Sequence, residues 1–190
     1  MDLMTNRNLQ VFREVKIPLI IPLILLCVSC TEFSADKAMK NQYDDSKGLF
    51  IAMHVIIPEE EEVSLMYLSK DINKWSPDAL IKKKINGKDY VQVVSFQLQK
   101  GVVPTKLRID LGSNKNINEI DLYKLVLRNA NFEIEINRDL IYKYFVFNKY
   151  VDKDSIYPKL SLSEQNGIYD PIMVSTDYFE KLMIKKLNLN

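Results

Sequence analysis

Long apolar runs, cysteine, histidine, glycine and tryptophan are all scarce in this 190-residue chain, and each shortage removes a class of function. The longest greasy stretch, Ile17 to Val28, has about 12 residues where a membrane-crossing helix needs roughly 20. It also contains Pro18 and Pro22, poor residues for a helix interior. The two cysteines, Cys27 and Cys30, both lie at the end of that stretch. Nothing downstream can therefore form a disulfide, a thiolate nucleophile or a cysteine-ligated metal site. The single histidine, His54, has no second histidine to complete a metal set or a catalytic triad. Set within the most apolar run of the mature chain, it reads as a hydrogen-bonded core residue. Five glycines, nowhere clustered, exclude a glycine-rich phosphate loop. Charge is nearly balanced, 26 Lys and Arg against 25 Asp and Glu, so the basic surplus that nucleic acid demands is missing. Carboxylates are plentiful, but no pair stands out for acid/base work. Glu133 and Glu135 share the polar face of one strand, and Asp170-Pro171 reads as a turn. The expectation is a protein that is not an enzyme and carries no cofactor or metal.

What is present begins at the N-terminus. Arg7, Arg13 and Lys16 precede the short apolar run, which ends in Ser29-Cys30. A basic start, a short apolar run and a small residue at a cleavage point describe a secretory signal. The ending resembles the bacterial lipobox, with Cys27 standing where that pattern prefers leucine. The resemblance implies cleavage before Cys30 and acylation of its thiol and freed amine. Each buried methylene contributes about 0.8 kcal/mol, so several chains hold a domain on a bilayer. The alternatives are a plain signal peptide with a coincidental cysteine, or a buried strand. The expected layout is therefore a signal over 1–29, a lipidated tether over 30–47 and one domain over 48–190. The expected address is a bacterial cell envelope, at the outer membrane or cell surface rather than the inner membrane. The tether, "TEFSADKAMKNQYDDSK", is polar and has no hydrophobic period. The runs Glu59–Glu62 and Lys82–Lys84 read as turn-flanking charges on a solvated face.

From residue 48 onward the dominant period is two. "LFIAMHVIIP" (49–58) is a β-branched apolar run closed by proline, as for a buried strand, and "VSLMYLS" (63–69) alternates. "ALIKKKI" (79–85) leads into Asn86-Gly87, a strong hairpin signal. "YVQVVSFQLQ" (90–99) places Val94, Phe96 and Leu98 on one face and Val93, Ser95 and Gln97 on the other. "KLRIDLG" (106–112), "EIDLYKLVLR" (119–128) and "FEIEI" (132–136) continue the alternation. Many short strands at such spacing predict a mostly β fold, an antiparallel β-sandwich with one or two short helices. One helix is expected over 175–187, capped by Ser175 or Thr176. The segment 137–148 fits a helix capped by Asn137, or a strand.

The stretch 93–127, with Leu107, Arg108, Ile109, Asp110 and Gly112 followed by Ile120, Leu122 and Leu125, resembles β-sandwich modules of bacterial envelope proteins associated with polysaccharide assembly. "YDPIM" (169–173) resembles the closing segment of such domains. The resemblance implies a jelly-roll, galactose-binding-like sandwich and a glycan or envelope polymer as the partner; docking on another envelope protein is the alternative. Fold likeness alone does not fix a function.

Three residues are candidates for ligand binding. Arg108 and Asp110, two apart on a strand, point to one face. They would donate to and orient around sugar hydroxyls, or else tie into neighbouring strands or the loop at 113–118. Trp75, in the polar loop "DINKWSPD", would stack on a sugar ring or serve as a lid on the sandwich.

Overall fold

A strand that alternates apolar and polar residues satisfies a sheet with one buried and one open face, and this chain pairs two such sheets. The computed structural model describes residues 43, 44, 47–153 and 158–187; the signal-like segment, Cys30 and most of the tether stretch lie outside them. The elements run β1 (Phe50–Ile56), β2 (Glu61–Ser69), a 3-10 turn (Pro77–Ala79), β3 (Leu80–Ile85), β4 (Gln92–Gln97), β5 (Pro104–Asp110), β6 (Glu119–Asn129) and β7 (Phe132–Ile136). They continue with helix α1 (Arg138–Tyr144), β8 (Phe145–Phe147), β9 (Val151–Lys153), β10 (Lys159–Leu162), β11 (Ile172–Ser175) and helix α2 (Asp177–Lys186). One sheet has the order β4-β1-β6-β10-β9, with β7 also on β6; the other is β3-β2-β5-β11-β8. All these pairings are antiparallel. The fold is mostly β, a two-sheet antiparallel sandwich with few helices, as the period of two predicts.

The core lies between the sheets. Ile51, Met53 and Val55 of β1 meet Val94 and Phe96 of β4 and Leu125 and Leu127 of β6, facing Val63 and Leu65 of β2 and Leu107 and Ile109 of β5. A bulge at His54/Val55 lets β6 insert Tyr123 between the partners of those two residues, so that Leu122 still points inward. Part of the outward face of the first sheet, around β1, is covered too. Phe50, Ala52 and Val126 are buried with Tyr43 and Val93 packed against them. The Tyr43 ring meets Phe50 edge-on at 5.6 Å, and the Arg128 guanidinium sits 4.4 Å from its centre. Packing against the domain therefore includes Tyr43, inside the stretch read as tether. His54, on the same face, is buried as well.

Asn86-Gly87 does not make the tight hairpin its sequence suggests. β3 pairs with β2 and β4 with β1, so residues 86–91 cross from one sheet to the other. Gly87 serves close approach instead: a side chain there would collide with the backbone of Pro58 and Glu59. The segment 137–148 is both things it fitted, a helix to Tyr144 and then a strand. Asn137 occupies the cap position without a side-chain cap bond. At α2 the cap is Thr176, not Ser175, and its hydroxyl donates to the Lys143 carbonyl at 2.8 Å rather than closing the helix. Phe179 and Met183, four apart, form the buried stripe of α2.

Candidate functional site

From Lys106 onward, past the irregularity opposite Leu68/Ser69, β5 alternates. Leu107 and Ile109 enter the core, so Lys106, Arg108 and Asp110 face outward. On that face the Arg108 Nε donates to Asp110 Oδ1 at 2.7 Å, and the Ser64 hydroxyl on β2 donates to Asp110 Oδ2 at 3.2 Å. A terminal guanidinium nitrogen of Arg108 lies 3.8 Å from Asp170. Both carboxylate oxygens of Asp110 are thus engaged, and Arg108 is fixed through its Nε with a terminal nitrogen toward Asp170. The pairing registers place Met66 and Val174 beside Arg108, with Leu80 and Val146 next along the same row. Val146 is 53% exposed. The result is a polar fork, oriented by its neighbours, in a row of aliphatic side chains.

Trp75 is not part of that arrangement. It sits in the loop between β2 and β3, 39% exposed. Backbone and side-chain bonds between Ser69 and Ile72, and the Ser76 hydroxyl at the 3-10 turn, pin the loop on either side of it. The loop follows Ser69, which pairs near Pro104 at the start of β5, whereas Asp110 ends that strand. The sequence candidates therefore fall at two places.

Sequence reasoning missed Glu61. In the acidic run that reads as solvated, this carboxylate is 6% exposed. It accepts from the backbone N–H of Asn114 at 2.9 Å and of Glu62 at 2.8 Å. Gly112, at φ +133°, leaves the room the carboxylate occupies. Nearby, the Tyr169 hydroxyl donates to the Ile117 carbonyl at 2.6 Å. Burial, and then the negative charge of Glu61, push its pKa up to about 12. The only local signal was the Leu-Gly pair at 111–112; the contact to Glu61 is long-range and invisible to a window. Lys82–Lys84 lie on a solvated face, but within β3 rather than flanking a turn; Lys82 pairs with Glu62 at 2.6 Å, which holds the Glu62 carboxyl below its usual range.

Among the described residues no group of three or more His, Cys, Asp or Glu is placed to hold a metal ion. No described helix is long and apolar enough to cross a membrane. No protein-family model matches the chain, and neither does a curated protein or a solved structure.

Proposed function

We propose that this chain is a lipid-anchored, non-catalytic recognition protein of a bacterial cell envelope, tethered through Cys30 and binding a glycan or related envelope polymer on the open face of the β5 sheet. The observation that carries the reading is Arg108, its Nε held by Asp110 at 2.7 Å within a row of half-buried aliphatic residues. Sugars present hydroxyls on their edges and C–H groups on their faces. A fixed fork of N–H donors suits the first, and Met66 and Val174 suit the second. The absence of chemistry in the reading follows from the inventory: the sole histidine is buried in β1, and Asp110 is fully engaged.

The aliphatic character of the row favours a second reading, a flat face that docks on another envelope protein. A retention assay of the full chain on envelope polysaccharide separates the two. Arg108→Ala removes the donors and should weaken glycan retention by about 1.5–3 kcal/mol, the scale of losing hydrogen bonds to a charged group. Retention unchanged by Arg108→Ala, with binding to an envelope protein lost, would move the second reading ahead.

A further inference from the structure

The two ends of the sandwich differ. Phe50 pairs with Gln97 and with Arg128, so the chain enters the domain at the end where β4 finishes and β6 turns. Gly48 donates to the Leu98 carbonyl there. The connection from Gln97 to Pro104 carries that end across to the second sheet, where β2 finishes at Ser69. Helix α2 is tied to the same end through Lys106, which pairs with Asp177 at 3.1 Å. A groove of about 450 Å³ lies between the loop after β2, the turn at 100–105 and α2, with Val102, Val103 and Ile184 in its wall.

This end collects exposed aromatic and aliphatic side chains. Trp75 is 39% exposed, Tyr178 58% and Ile184 38%. Around them Lys70, Lys74, Lys100, Lys181, Lys185 and Lys186 are exposed, and none of these is in an ion pair among the described residues. Lys181 instead lies 5.9 Å from the Tyr178 ring. Asp71 and Glu180 are the acidic residues in the groove wall. The opposite end presents the exposed Glu59 and Glu60 beside the exposed Lys83, Lys84 and Lys115. Tryptophan, tyrosine and lysine around a small aliphatic patch are the residues that settle at a bilayer's headgroup level.

We infer that the end of the domain where the tether joins is a membrane-seating surface, which lays Trp75, Tyr178 and Ile184 against an anionic lipid headgroup layer. This rests on the lipid-anchor reading. From Cys30 to Tyr43, which packs on the domain, the chain reaches at most about 45 Å. The end that receives the tether is the one the anchor brings to the bilayer, and its lysines, unpaired among the described residues, match an anionic headgroup layer.

Trp75 is the only tryptophan, so its emission reports the surface directly. The full chain recovered from cells is mixed with vesicles of brominated phosphatidylglycerol or brominated phosphatidylcholine, and labelled palmitate on Cys30 is scored separately. Trp75 emission should shift to the blue and be quenched with the anionic lipid, and much less with the neutral one. In the Lys100→Glu, Lys181→Glu, Lys185→Glu variant, seating should weaken roughly 100-fold while palmitate and vesicle flotation persist. A palmitoylated chain that floats with equally weak quenching in both lipids overturns the seating surface and leaves the anchor standing. A chain without palmitate removes the anchor, and quenching on added anionic vesicles still decides the surface. A Trp75 shift with soluble envelope glycan, and none with either lipid, overturns seating in favour of a sugar platform.

Discussion

Replacing Gly112 by alanine tests whether Glu61 and the loop after β5 form one unit. Gly112 has φ +133°, a conformation that side chains rarely adopt, which costs about 1–3 kcal/mol. The new methyl would also fall on the Glu61 carboxylate. That carboxylate is buried and accepts two backbone N–H bonds. Displacing it loses at least one charge-assisted bond, worth about 1.5–3 kcal/mol. The sum is about 2.5–6 kcal/mol, a large share of the roughly 5–15 kcal/mol that holds a domain together. Urea unfolding of the full chain, followed by circular dichroism, measures it. The decisive comparison is a double-mutant cycle. In a Glu61→Ala background the collision is gone, so Gly112→Ala should cost only its backbone strain, leaving a coupling of about 2 kcal/mol. Costs that add to within about 0.5 kcal/mol would show that the glycine serves the turn alone and that Glu61 does not depend on it.

Two further outcomes follow from other parts of the structure. Phe179→Ala should cost about 3–5 kcal/mol, because the ring is fully buried and packs 5.8 Å from that of Phe145, joining α2 to the sandwich; a cost under about 1 kcal/mol in urea titration would detach α2 from the core argument. Tyr169 has a folded pKa of about 12, above the unfolded value near 10. Its contribution is present below pH 10 and is lost as pH rises toward 12. Allowing for partial exposure it is worth about 1 kcal/mol. Stability should therefore fall between pH 10 and 12 less steeply in Tyr169→Phe than in the parent; coincident alkaline slopes would refute the assignment.

The strands from 49 to 136 were legible because each alternates long enough for its inward face to declare itself, as Val94, Phe96 and Leu98 do. Which strands pair was not. Asn86-Gly87 carries the local chemistry of a hairpin, yet β3 and β4 belong to different sheets, and no window contains the β2 and β1 edges that claim them. The segment 137–148 was ambiguous for a physical reason: its first half has helical spacing, its second half is Phe-Val-Phe, and the change comes at Tyr144. Strands of three or four residues, β8 to β11, are too short for a period to show. Of the candidate site, the shared face of Arg108 and Asp110 follows from spacing alone, and their ion pair is the local consequence. The partners supplied by β2 and by Asp170 come from topology.

The same distinction bears on what each candidate residue is for. Arg108 is oriented by Asp110, itself held by Ser64 on β2, and faces Asp170 from a third part of the chain. A side chain held that way has lost rotamer freedom before any ligand arrives, so any partner pays less to fix it. Trp75 shows the other pattern. Its loop is stitched at Ser69, Ile72 and Ser76, but the indole itself is left more than a third exposed. A pinned loop that keeps its largest apolar group toward solvent is compatible with a diffuse partner such as a headgroup layer, which needs depth and no fixed geometry. On the two proposals above, recognition and membrane seating place different demands on the chain and fall at separate places: the oriented guanidinium on a sheet face, and Trp75, Tyr178 and Ile184 at the end where Gly48 leads into β1.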